Sequence, residues 1–193
     1  MSVEVEVDTK ALNRCVIELS KISEKDVPKA MVSAINRTIQ AVGTDMKRET
    51  VKNYEIKSGD VQKTLKINRA SASNMQANAQ STGKQLGLFH FKVMPRKRPT
   101  KRIKYVKVKI KKSDSYKEIK TNPKAFIAEK NAPNVFKRKG KSRLPIERLT
   151  SLSIPQMISN PKTLEQIQKN AQETLEKRTA HEIEYRLSKA KGG

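Results

Sequence analysis

The chain opens on an alternation: Val3, Val5 and Val7 are interleaved with Glu4 and Glu6, the two-residue period of a half-buried strand with an acidic outer face. The period then lengthens. After Asp8, a capping residue, Leu12, Cys15, Val16, Leu19 and Ile22 recur at three- and four-residue steps and predict a helix in which Cys15 is a core residue rather than a reactive thiol. A second helix is predicted from Asp26, its cap, with Pro28 in the first turn. Val27, Met31, Ala34, Ile35, Ile39, Val42 and Met46 carry one apolar stripe along it to about residue 52, a length of about 39 Å. Ala30, Ala34 and Gly43 are small enough to admit another backbone. Ser58, Gly59 and Asp60 predict a break and a short helix through Leu65.

From Ser71 to Gly83 the residues are Ser, Ala, Asn, Gln and Thr with little else, which predicts a polar loop. Leu86 to Met94 then alternates Phe89, Phe91 and Val93, and Ile103 to Lys111 interleaves Val106, Val108 and Ile110 with Lys107, Lys109 and Lys111. These read as a hairpin whose proline-braced tip, residues 95–102, carries Arg96, Lys97, Arg98, Lys101 and Arg102. The adjacent Tyr105 and Val106 slip the phase, predicting a bulge or a strand end buried on both faces. After a polar connection from Ser113 to Lys124, Ala125 to Asn160 gathers more local signals than any other stretch. Phe126 and Ile127, a turn at Asn131 to Asn134, and Val135 with Phe136 predict a second hairpin laid against a helix. A basic loop follows, with Lys137, Arg138, Lys139, Lys141 and Arg143 around Gly140, and then two proline-anchored apolar groups, Leu144-Pro145-Ile146 and Ile154-Pro155-Met157. Asn160 and Pro161 start a long helix. Its face is Leu164, Ile167, Ala171, Leu175, Ile183 and Leu187, and Gly192 and Gly193 end it. The pattern predicts an α+β protein in which the N-terminal strand and both hairpins, one of them basic, form a small mixed or antiparallel sheet against two long helices. It also predicts a single domain over 1–193, with its core in about 1–68 and 85–190.

Composition sharpens this picture. Forty-two Lys and Arg against nineteen Asp and Glu leave a net charge of +23, an affinity for any polyanion. Val61 to Ser113 holds fifteen cations and no acid in 53 positions. Lysine outnumbers arginine in its basic strand, Lys104 to Lys112, and Tyr105 is the one aromatic there. That suits diffuse attraction to phosphates more than base reading, unless the lysines guard a sheet edge. A hydrophobic fraction of 35%, an aromatic fraction of 4% and the lack of Trp predict a thin core that partners complete. His90 and His181 lack metal-ligand spacing, and no phosphate loop, nucleophile elbow or carboxylate pair appears, so neither enzyme activity nor a cofactor is expected. The single cysteine, the absence of a signal segment and the absence of an 18-residue apolar run predict a protein made in a cytoplasm and kept off the membrane.

Two blocks resemble a known family. FIA, VFKRKGKSRLPIERL and SIPQMISNP before an amphipathic helix, and earlier AINRTIQAVGTDMKRETVKNYEIKSGDVQKTLKI with Tyr54, Ile56, Lys57, Asp60, Val61, Lys63 and Leu65, resemble the minor tail protein Z family of tailed bacteriophages. The lysine-rich middle, Arg96 to Lys112, departs from that pattern. The resemblance implies a structural tail-completion protein at the head-proximal neck of a phage or tail-like particle. It would form a ring, hexameric by family analogy, between tail tube or terminator and head connector, with DNA passing non-specifically through the lumen. The three basic groups, including Lys104, Lys107, Lys109 and Lys111, would then face DNA or acidic neighbours, and Leu144, Pro145, Ile146, Ile154, Pro155 and Met157 would serve assembly. The rival reading is a free-standing, sequence-independent nucleic-acid-binding protein.

Overall fold

The structure, a computed structural model, describes residues 1–6, 16–17, 20, 26–101, 103–130 and 132–191. Val7, the Asp8 cap, most of the helix expected around Cys15, Arg102, the Asn131 turn and the closing glycines lie outside these residues. Val16 and Ile17 are helical but exposed.

Strand β1 (Ser2–Glu6) follows its alternation, with Val5 inside and Glu4 and Glu6 outside. Helix α1 (Val27–Asn53) buries its apolar stripe, and the N-cap position falls on Asp26 as expected. The Asp26 side chain makes no cap hydrogen bond, however; it accepts instead from the Arg186 guanidinium at 3.2 Å. A short helix α2 (Ser58–Gln62) ends earlier than predicted, and the chain turns at once into β2 (Leu65–Asn68). The expected polar loop needs correction. Its second half forms β3 (Asn78–Thr82), the central strand of an antiparallel sheet in the order β1-β3-β2. Ala79 pairs with Val5 and Ile67, and Ser81 with Val3 and Leu65, so the flanking strands supply the apolar bulk and β3 supplies small residues. Ser81 is fully buried and shares a 2.9 Å hydrogen bond with Thr64, which satisfies a hydroxyl that periodicity marks only as polar. Small residues bring α1 close: Ile67 lies on the helix at Gly43, where an added Cβ would meet its Cδ1 at 2.7 Å.

The single sheet expected from the strand pattern is three sheets. A 3-10 turn at Leu88–His90 interrupts the predicted first arm of the basic hairpin, leaving β4 (Lys92–Met94) to pair with β5 (Lys107–Lys109) over three positions, Val93 opposite Val108. Tyr105 and Val106 precede β5, and Val106 is fully buried. β6 (Lys117–Glu118) pairs with the other side of β5, so the lysine strand is central in its sheet and not a charge-guarded edge. The second hairpin is β7 (Phe126–Lys130) with β8 (Ala132–Arg138), joined by a third strand, β9 (Ile146–Arg148). β8 packs on the 3-10 turn at Leu88–His90, and Ile127 and Val135 of this hairpin join the same core as the long helices.

Helix α3 (Ile154–Ile158) is fixed by a capping box in which Ser153 and Gln156 bond each other's backbone. Helix α4 (Pro161–Lys191) then runs antiparallel along α1. Asn53 donates to Thr163 at 3.1 Å, Ser33 to Glu182 at 2.7 Å, and Arg186 reaches Asp26, so one register holds from end to end. The main core joins Ile35, Ile39, Val42 and Met46 of α1, Met157 and Ile158 of α3, Ile167 and Leu175 of α4, and Val5, Val93, Val108, Ile127 and Val135 of the three sheets. A smaller cluster of Val27, Ala30 and Ile183 closes the far end of the helix pair. The fold is α+β, small antiparallel sheets against two long helices. No helix is long and apolar enough to cross a membrane among the described residues.

Candidate partner interface

The basic groups predicted from the sequence fall into different environments. In the lysine strand, Lys107 and Lys109 of β5 are matched by carboxylates. Lys109 Nζ lies 3.7 Å and Lys92 Nζ 3.1 Å from Glu55, whose side chain is nearly buried, and Lys107 Nζ lies 3.6 Å from Glu118 on the neighbouring strand. Lys111 bridges to the Tyr54 backbone with its side chain in solvent. Close by, Lys117 at 3.2 Å holds the Asp114 carboxyl below the usual range. Burial pushes the Tyr54 phenol up, and the Asn160 side chain offsets part of that shift.

The β4–β5 connection is different. Arg96 donates to the Phe91 carbonyl at 3.3 Å and so serves its own turn, while Lys97 is exposed. Arg98 and Lys101 line a groove of about 760 Å³ together with Lys124 and Arg138. Three separate segments therefore deliver four cations to one concavity, and among the described residues no carboxylate lines it. Its floor is apolar, built by Ile103, Phe126 and Ile127, with Phe126 backed by the Phe136 ring at 6.4 Å. One wall is β7, the outermost strand of its sheet, whose far side pairs with no strand among the described residues. Lys124 also approaches the Tyr105 ring, at 5.9 Å, as does Lys104 at 5.8 Å. Sequence reading passed over Lys124 because it sits in a polar connection with no periodic signal; only the return of that connection beside Arg98 shows its place.

Of the basic loop expected from residue 137, Lys137 and Arg138 instead end strand β8, where Lys137 pairs with Glu147 of β9 at 3.5 Å, while Lys139, Lys141 and Arg143 extend into solvent. The assembly candidates divide sharply. Leu144 is 67% exposed and Pro145 is also at the surface, with Ile146 half-buried in β9. Ile154, Pro155 and Met157 lie inside, so any contribution they make to assembly passes through the fold. Chemically, the groove offers cations and a strand edge above an apolar floor, a surface for an anionic or extended partner. Among the described residues no cluster of His, Cys, Asp or Glu is placed to hold a metal ion.

Neither a curated protein nor a solved structure matches the chain. Residues 9–190 match the family model of prophage minor tail protein Z (GPZ). That match takes in both long helices, all three central strands and the groove, and the chain belongs to the prophage minor tail protein Z family, structural proteins of the phage tail.

Proposed function

We propose that this protein completes the tail at its head-proximal end. Copies of the chain form a ring, placed between tail tube or terminator and head connector, and DNA crosses its lumen without sequence readout. Family membership supports the tail role. The observation that carries the finer reading is the groove in which Arg98, Lys101, Lys124 and Arg138 converge without a carboxylate. Cations gathered without counter-charges repel one another in the free subunit and are relieved by an acidic neighbour or by phosphates. Leu144, exposed beside the basic loop, supplies the apolar contact between subunits.

The test is particle assembly with the protein removed and restored. Electron microscopy should show full-length tails and filled heads that stay apart, and purified protein added back should join them. Normal joined particles formed without the protein would overturn the reading. Replacing the four groove cations by Gln should leave folding intact; if joining then fails, the groove faces a protein neighbour, and if only DNA delivery drops, it faces the lumen. The net charge of +23 keeps a second reading in play, a free-standing DNA-coating protein. Tight duplex binding by a monomer that never enters particles would favour it.

A further inference from the structure

A second concavity lies on the opposite kind of scaffold, the helix pair. A pocket of about 600 Å³ is lined by Ser33, Asn36, Arg37, Gln40, Arg69 and Arg178, three arginines and three neutral polar residues. Positions 33, 36, 37 and 40 share one face of α1 by helical spacing. In the register set by the Ser33–Glu182 and Asn53–Thr163 bonds, Arg178 of α4 falls beside Arg37. Arg69 arrives from the end of β2 and is held in place. Its guanidinium donates to Gln40 at 3.3 Å, and the next residue, Ala70, is clamped by Asn36 through two hydrogen bonds of 2.8 and 3.0 Å. Arg37 is paired through its Nε with the buried Glu182 at 3.7 Å and is half exposed. No carboxylate lines the pocket among the described residues.

Three elements bring three guanidiniums together, with Glu182 answering that of Arg37 and Gln40, itself in the lining, holding that of Arg69. Such forks match oxyanions bidentately, which ammonium groups do not. We propose that this pocket is a phosphate-binding site and that its occupant is the sugar–phosphate backbone of DNA. The spacing of one strand's charges, one per about 3.4 Å of axis, lets neighbouring phosphates lie along a shallow, open depression of this size. Phosphate binding stands apart from the tail-completion reading; only DNA as the phosphate source rests on it.

The experiment uses the full chain, two probes and two double variants, Arg69→Gln/Arg178→Gln and Arg69→Lys/Arg178→Lys. Inorganic tripolyphosphate should raise the melting temperature of the wild type more than that of the Gln variant. Affinity for a mixed-sequence duplex, read by anisotropy across a salt series, should lose about 1.8 in log–log salt slope in the Gln variant, 0.9 for each lost contact. The Lys variant should recover less than half of the lost affinity. Equal tripolyphosphate shifts and equal slopes in wild type and Gln variant would show that there is no site. Full recovery with Lys would reduce the pocket to bulk positive charge and overturn a shaped site. A lost tripolyphosphate shift with an unchanged duplex slope would keep the phosphate site and overturn DNA as its occupant.

Discussion

At the scale of single residues, burial decides which side chains matter for stability. Leu175 is 1% exposed in the core between α4 and α1, so Leu175→Ala should cost about 2–5 kcal/mol in chemical denaturation. A loss under about 0.5 kcal/mol would mean that the helix pair separates from the rest of the core. Tyr54 carries a different signature. Its phenol ionises above the ordinary value of 10.0 because the ring is buried. The unfolded phenol gives up its proton first, so this contribution to stability is complete below pH 10 and is lost as pH climbs through the folded value. Tyr54→Phe should therefore flatten the alkaline limb of the stability curve and remove the latest component of a tyrosinate absorbance titration. An unchanged alkaline limb would place the ring in contact with water.

At the scale of elements, what could be read in advance follows from length and period. Val27 to Met46 and Leu164 to Leu187 repeat for many turns, and β1 alternates cleanly, so these elements show themselves in the residues. β3 does not, because a central strand covered by helices close overhead needs Ala79 and Ser81, and small residues leave no hydrophobic alternation. Helix α3 is too short for a period, yet Ser153 and Gln156 stand at the spacing of a capping box and could have announced it. Ser153 is buried, and Ser153→Ala should cost about 1 kcal/mol by thermal unfolding; a neutral result would show that the buried α3 face alone sets this helix. The candidate site was legible only as charge. That Lys109 is answered by Glu55, or that Arg98, Lys124 and Arg138 meet, depends on which segments the tertiary fold returns to one another, and 1D spacing carries none of it.

For the whole molecule, charge and assembly pull in opposite directions. In the proposed ring, copies of net charge +23 would repel on approach, while the exposed Leu144 and the groove edge would favour contact. Salt screens the repulsion within about 8 Å at physiological strength and at the same time weakens phosphate binding. Self-association in the ultracentrifuge should therefore rise with salt over the range in which duplex affinity falls. Two curves that fall together would point to oligomers held by charge rather than by apolar contact.

The register of α1 with α4 also sets a timetable. The hydrogen-bonded partners across that pair lie 110 to 160 residues apart in the chain. While the protein is being synthesised, α1 leaves the ribosome early and waits, its face of Ala34, Ile35, Val42 and Met46 uncovered, until the helix that covers it has been translated. Strands β2 to β9 emerge during that interval, and of these β2 and β3 pack on α1. A nascent chain can thus present strand edges and basic loops before its core is closed, and premature contact with other tail components is a hazard built into the order of its elements.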